Sequence, residues 1–122
     1  MINRASLSII FALLCLSSGS VSAGYPNCTG VDSWATNMAF VHLKNAGLTD
    51  NDRLDFTKTK VVRLASEKIG KDLYRQLHLV TFTQKTGETI EVITSNDASH
   101  QECSMSGVQV FVIAKRLGEG SK

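Results

Sequence analysis

Leu73-Tyr74-Arg75-Gln76-Leu77-His78-Leu79-Val80-Thr81-Phe82-Thr83-Gln84, followed by Lys85-Thr86-Gly87-Glu88 and Thr89-Ile90-Glu91-Val92-Ile93-Thr94, decides how this chain folds. The first stretch alternates with period two. Leu77, Leu79 and Thr81 fall on one face, and His78, Val80 and Phe82 on the other. Apolar side chains on both faces predict a central strand rather than an edge. The four residues 85–88 read as a hairpin turn, with Gly87 supplying the backbone conformation that side chains resist. Thr89–Thr94 then returns as a second strand, with Ile90, Val92 and Thr94 opposed to Glu91 and Ile93.

Working upstream, Phe56 to Leu64 alternates Thr57, Thr59, Val61 and Arg63 with Lys58, Lys60, Val62 and Leu64, and reads as a strand. Ser66 to Asp72, which holds Gly70, reads as the turn that follows it. From Trp34 the period changes. Trp34, Met38, Val41 and Ala46 recur at helical spacing, flanked by Ala39, Phe40 and Leu43. Asp32 or Ser33 caps the start by accepting a free first-turn amide. Asn45-Ala46-Gly47 closes the end, with glycine suited to a left-handed cap. Trp34 reads as the core anchor of this helix.

Downstream, Ser95 to Gly107 reads as a long polar loop and Val108 to Ala114 as the last strand, with Val108, Val110, Val112 and Ala114 on one side. Gly118 to Lys122 is a tail. Short connections favour antiparallel neighbours, and two layers are the fewest that hide both apolar surfaces. The expected fold is α+β: one N-terminal helix packed on a four-stranded antiparallel meander sheet.

The first 23 residues are set apart from this domain. Met1 to Arg4 is basic, Ala5 to Leu16 is apolar and uncharged, and Val21-Ser22-Ala23 places small residues where a signal peptidase cuts. The apolar run is too short for a membrane span, which needs about 20 such residues. Residues 1–23 therefore read as a cleavable signal peptide and 24–122 as a single small domain, periplasmic or secreted, with no stable membrane insertion after cleavage. Cys15 leaves with the signal. Cys28 and Cys103 remain, and an even pair in an oxidising compartment reads as a disulfide. Closing a loop of about 75 residues stabilises by roughly 4 kcal/mol on chain-entropy grounds.

Composition excludes several classes. Thirteen basic residues face 11 acidic ones, for a net charge of +2. The basic residues are scattered, so no nucleic-acid partner is expected, because that partner calls for a positive stripe. His42, His78 and His100 stand in no zinc-ligating spacing, and no cofactor motif is present. Asp50-Asn51-Asp52 with Asp55 opens like a calcium loop but lacks its glycine and closing glutamate, so it reads as a solvated turn. Asn27-Cys28-Thr29 matches a glycosylation sequon. The loop between the third and fourth strands concentrates functional side chains. Asn96, Asp97, Ser99, His100, Glu102, Ser104 and Met105 are the candidate binding residues, on a loop fastened by the cysteine pair. A serine with His100 and Asp97 has the composition of a catalytic triad, but no nucleophile elbow accompanies it.

The order of helix then four strands resembles the cystatin topology, although the inhibitory Gln-x-Val-x-Gly pattern is missing where Val108-Gln109-Val110 stands. The chain is also similar in outline to small Gram-negative envelope proteins with a signal and one disulfide, some of them lysozyme inhibitors or immunity proteins. The expected function is that of an exported non-enzymatic binding protein with a protein partner, an inhibitor or immunity-type protein of the envelope. The alternative is a small periplasmic hydrolase or ligand-binding domain using loop 95–107.

Overall fold

The computed structural model describes residues 24–114 and Leu117. The expected signal peptide and the expected tail at Gly118 to Lys122 lie outside the described residues. Those residues form helix α1 (Trp34–Asn45), a short 3-10 turn (Phe56–Lys58) and strands β1 (Lys60–Gly70), β2 (Leu73–Thr83), β3 (Thr89–Ala98) and β4 (Gln109–Val112). The strands make one antiparallel sheet in the order β1-β2-β3-β4. The class is α+β as expected, with the helix packed on one face of a meander. An irregular leader, residues 24–33, precedes that helix.

The ends of α1 follow the local chemistry. Ser33 accepts a hydrogen bond from the Thr36 amide at the N-terminus. At the other end Leu48 N–H donates to the Leu43 carbonyl and Gly47 N–H to that of Lys44, with Gly47 at φ +75°. This pairing satisfies carbonyls that the helix leaves free. The buried face differs from the expected stripe. Ala35, Thr36, Ala39 and Leu43 are buried, whereas Trp34 is 37% exposed and Val41 39%. Ala35, Thr36 and Ala39 let the helix backbone approach the sheet closely, Leu43 packs beneath it, and Trp34 and Val41 ride at the margins.

Three strands also have limits that differ from expectation. Phe56–Lys58 is a 3-10 turn capped by Asp55, and β1 starts only at Lys60. It then runs through Ser66 to Gly70, where a turn was expected, and the turn itself is only Lys71 and Asp72. Asp72 sits at φ +49°, a conformation that a short Asp side chain tolerates. Bulges between Arg63 and Ala65 and between Lys68 and Gly70 interrupt the period-two pattern over the stretch expected to be a turn. Strand β3 extends to Ala98, so the expected loop loses Ser95–Ala98 and begins at Ser99. Strand β4 is shorter than expected at Gln109–Val112.

The face of the sheet beneath α1 has two halves. Toward the hairpin at Gly87 (φ +94°), Val80, Phe82 and Val92 meet Ala39, Leu43 and Leu54, with Phe40, Val61, Ile90 and Val110 packed around them. Leu54 is drawn in because its neighbours pair with the end of β2: Asp55 N–H donates to the Thr83 carbonyl and Lys85 N–H to that of Arg53. Phe40 stacks edge-on against Phe56 at 5.1 Å and tilts against Phe82 at 6.5 Å. Toward the other end the same face turns polar: Gln76, His78, Thr94 and Asn96 are all buried. That half is covered by the leader, in which Pro26 and Cys28 are buried.

Among the described residues, no helix covers the opposite face. One cross-strand row on it is wholly apolar, Val62 to Leu79 to Ile93 to Phe111, and the two ends of that row are 55% and 54% exposed. Replacing Phe82 with alanine is expected to cost about 3–5 kcal/mol of stability, as large-to-small core changes do. Replacing Val62 with alanine should change it by less than about 0.5 kcal/mol, as surface changes do. Urea unfolding of the two variants checks this contrast.

Candidate functional site

The leader, the β1–β2 turn and loop 99–107 meet at one end of the sheet. Their central fastening is the Cys28–Cys103 disulfide, with the two Cα atoms 5.7 Å apart. The expected pairing is therefore present. It ties the first described segment to the loop before β4.

Around it the loop is held by side chains that the sequence marked as candidate binders. Asn96 is buried, and its Nδ2 donates to the Cys103 carbonyl at 2.8 Å. Ser99 is buried too; its Oγ accepts from the amides of Gln101 and Glu102, and its own N–H donates to the Glu102 carbonyl. Met105 N–H donates to the Asp97 carbonyl, and Asp97 N–H to Ser106 Oγ. Trp34, expected in the core, instead donates its indole N–H to the Ser106 carbonyl at 3.0 Å. The tryptophan anchors the loop rather than the helix.

The candidates thus separate into two groups. Asn96, Asp97 and Ser99 build the scaffold. His100, Glu102, Ser104 and Met105 lie on the exposed surface, together with Gln101. Asp97 also closes an ion pair with Arg75, 3.1 Å away across β2 and β3, and this carboxylate holds the guanidinium above its ordinary range. Beside the pair runs a polar groove of about 520 Å³, lined by Ser95, Ser106, Gly107 and Gln109 among others.

His100 does not meet Asp97. Its partner is Asp72 of the β1–β2 turn, which accepts from both the His100 backbone N–H and ring Nδ1. The other ring nitrogen, Nε2, lies 2.6 Å from the Gly24 carbonyl. Both acceptors call for an N–H, so the imidazolium is the form that fits. The Gly24 carbonyl first, and then Asp72, raise the His100 pKa above the ordinary 6.5. His100 in turn holds Asp72 below the ordinary 3.8. With both nitrogens engaged, His100 acts as a cationic clasp on the leader. An edge contact with Tyr74 at 5.3 Å, Tyr74 against Tyr25 at 5.8 Å, and Arg63 5.2 Å over the Tyr25 ring continue this clasp.

Sequence reasoning missed the buried polar seam under the leader. Gln76 Nε2 donates to the Pro26 carbonyl and to Ser66 Oγ. His78 stands opposite Thr94, and Gln76 opposite Asn96. Among the described residues, both ring nitrogens of His78, Gln76 Oε1, Thr94 Oγ1 and Asn96 Oδ1 have no partner. Burial first, and then the charge of Arg63 on the neighbouring strand, lower the pKa of His78. The sequence signal was the polar pair at alternate positions in each strand, 76 and 78 in one and 94 and 96 in the other. Only the register brings them together. Asp50, read as part of a solvated turn, accepts from the amides of Asp52 and Arg53. Among the described residues, no cluster of three or more His, Cys, Asp or Glu side chains could hold a metal ion.

No protein family, curated protein or solved structure matches the chain. The fold and site define an α+β domain with a disulfide-fastened loop, and its function is read from the site itself.

The two histidines set opposite pH responses. The His100–Asp72 contribution is fully present between about 3.8 and 6.5. It fades as pH rises through the raised His100 value, or falls through the lowered Asp72 value. Proton NMR titration should place His100 above 6.5, and Asp72→Asn should bring it down. A midpoint at or below the ordinary value would contradict the clasp. His78 takes up its proton at a lower pH when folded than when unfolded, so its contribution is present above 6.5 and is lost as pH falls below that through the lowered folded value. The stability of His78→Leu relative to the parent should therefore rise as pH drops from about 7 to about 5, measured by urea midpoints at each pH.

Proposed function

We propose that this chain is an exported, non-enzymatic binding protein, periplasmic or secreted, that grips a protein partner through loop 99–107. Its sequence resembles in outline small envelope proteins, some of them inhibitors or immunity proteins, and an inhibitor or immunity-type role is the reading to test first. One observation carries the proposal. The loop is fastened by a disulfide, by Asn96, by the Ser99 turn, by Trp34 and by Asp97, yet it presents Met105 45% exposed beside Glu102 and Ser104.

Such an arrangement favours binding for a physical reason. Ordering a loop on association costs roughly 0.5–1.5 kcal/mol per immobilised side chain. Here the loop backbone is already fastened in the free protein, so that cost falls chiefly on the exposed side chains. An apolar methionine between polar neighbours suits a partner surface with a small apolar pocket and a polar rim. The disulfide is compatible with an oxidising compartment, and among the described residues no helix is long and apolar enough to cross a membrane.

Site-specific photo-crosslinking in living cells tests the proposal. A crosslinker at Met105 should yield a discrete adduct with another protein, while the same group at Lys85, on the hairpin turn at the other end of the sheet, should not. Glu102→Ala with Ser104→Ala should weaken the adduct. Adducts that are equal at both positions, or absent from both, would overturn the assignment to this loop.

A further inference from the structure

We infer that β4 joins two copies of this chain edge to edge, antiparallel, about a two-fold axis passing at Phe111. The argument starts from the difference between the two edges of the sheet. Edge strand β1 is interrupted by two bulges and carries Lys60, Arg63, Glu67 and Lys68, devices that keep a foreign strand away. Edge strand β4 has neither. From Ser104 to Ala114 the chain holds no charged residue, and its register with β3 is unbroken.

The backbone fixes which groups are on offer. Ile113 N–H donates to the Glu91 carbonyl, so in this antiparallel ladder residues 109, 111 and 113 turn their amides toward β3. Val110 and Val112 therefore turn theirs outward, and among the described residues no strand pairs with them. An antiparallel copy centred on Phe111 sets Val110 opposite the second copy's Val112. Each then receives the N–H and C=O partners it lacks. Phe111 faces its own equivalent at a non-hydrogen-bonded position, where side chains come closest.

A second copy suits this edge better than an arbitrary strand. The apolar row Val62, Leu79, Ile93, Phe111 ends in the open at Phe111, and the symmetric pairing continues it through the same four residues in reverse. On the helix side, a groove of about 480 Å³ between α1 and β4 is lined by Leu43, Ala46, Leu48, Val110 and Val112. The second copy's Val110 and Val112 close the open side of that groove. No charge lies on either strand, so the antiparallel approach brings no like charges together.

Sedimentation equilibrium of the disulfide-bonded chain recovered from cells tests this. A reversible dimer is expected whose fraction rises with concentration. Val112→Pro removes an outward amide that β3 does not use, and Phe111→Lys places two cations at the axis. Both should be monomeric, with thermal midpoints close to the parent's at concentrations where the parent is monomeric too. For register, Phe111→Cys should cross-link to itself under mild oxidation with Cys28–Cys103 intact, and Gln109→Cys should not. Three results would each overturn the inference: a parent that stays monomeric up to about 1 mM, a Val112→Pro variant that still dimerises, or cross-linking at 109 equal to that at 111. In the first case the edge is left for a strand from another protein.

Discussion

The inner face of the sheet is sealed by two unlike segments, and the Cys28–Cys103 bond holds the second of them in place. Helix α1 covers the apolar half through ordinary burial, with Leu43 and Ala39 against Val80, Phe82 and Val92. Fully burying side chains of this size is worth about 1.5–3 kcal/mol each, so that half needs no staple. The leader over the other half has neither helix nor strand, and it lies on polar residues that offer little hydrophobic gain. It stays because covalent closure, the His100–Gly24 contact and the Gln76–Pro26 hydrogen bond act together.

The same bond organises the outer loop. Fixing Cys103 places its carbonyl within reach of Asn96, and the turn closed by Ser99 then sets the direction of the exposed residues. Inner seal and outer surface are thus mechanically one object. His100 belongs to both, since it sits on the loop and clasps the leader. Neutralising it affects the seal before it affects any surface contact.

Much of the fold was legible because its signals are local. Ser33, Gly47 and Gly87 mark turns and caps through their own backbone chemistry, and β2 alternates cleanly. What was illegible depended on distant neighbours. The bulges of β1 made a strand look like a turn at Gly70. The inward positions of β2 and β3 carry Gln76, His78, Thr94 and Asn96, so polarity at the end of β3 suggested a loop. The buried face of the helix is not its bulkiest one: close approach to a sheet favours Ala35 and Ala39 beside Leu43, and leaves Trp34 and Val41 at the margin. At the site, the cysteine pair was legible from compartment and count. The division of the loop into scaffold and exposed residues was not, because hydrogen bonds such as Asn96 to Cys103 need the register first.

The leader's contacts also imply an order of assembly. The strands of the meander meet neighbours close by in sequence, and such contacts form early because little chain entropy is lost in closing them. The leader must instead find a cysteine 75 positions away. The polar seam is therefore shut off from water only after the strands of the meander have paired. Under a reductant it becomes the first to reopen, while the apolar half beneath α1 keeps its shape.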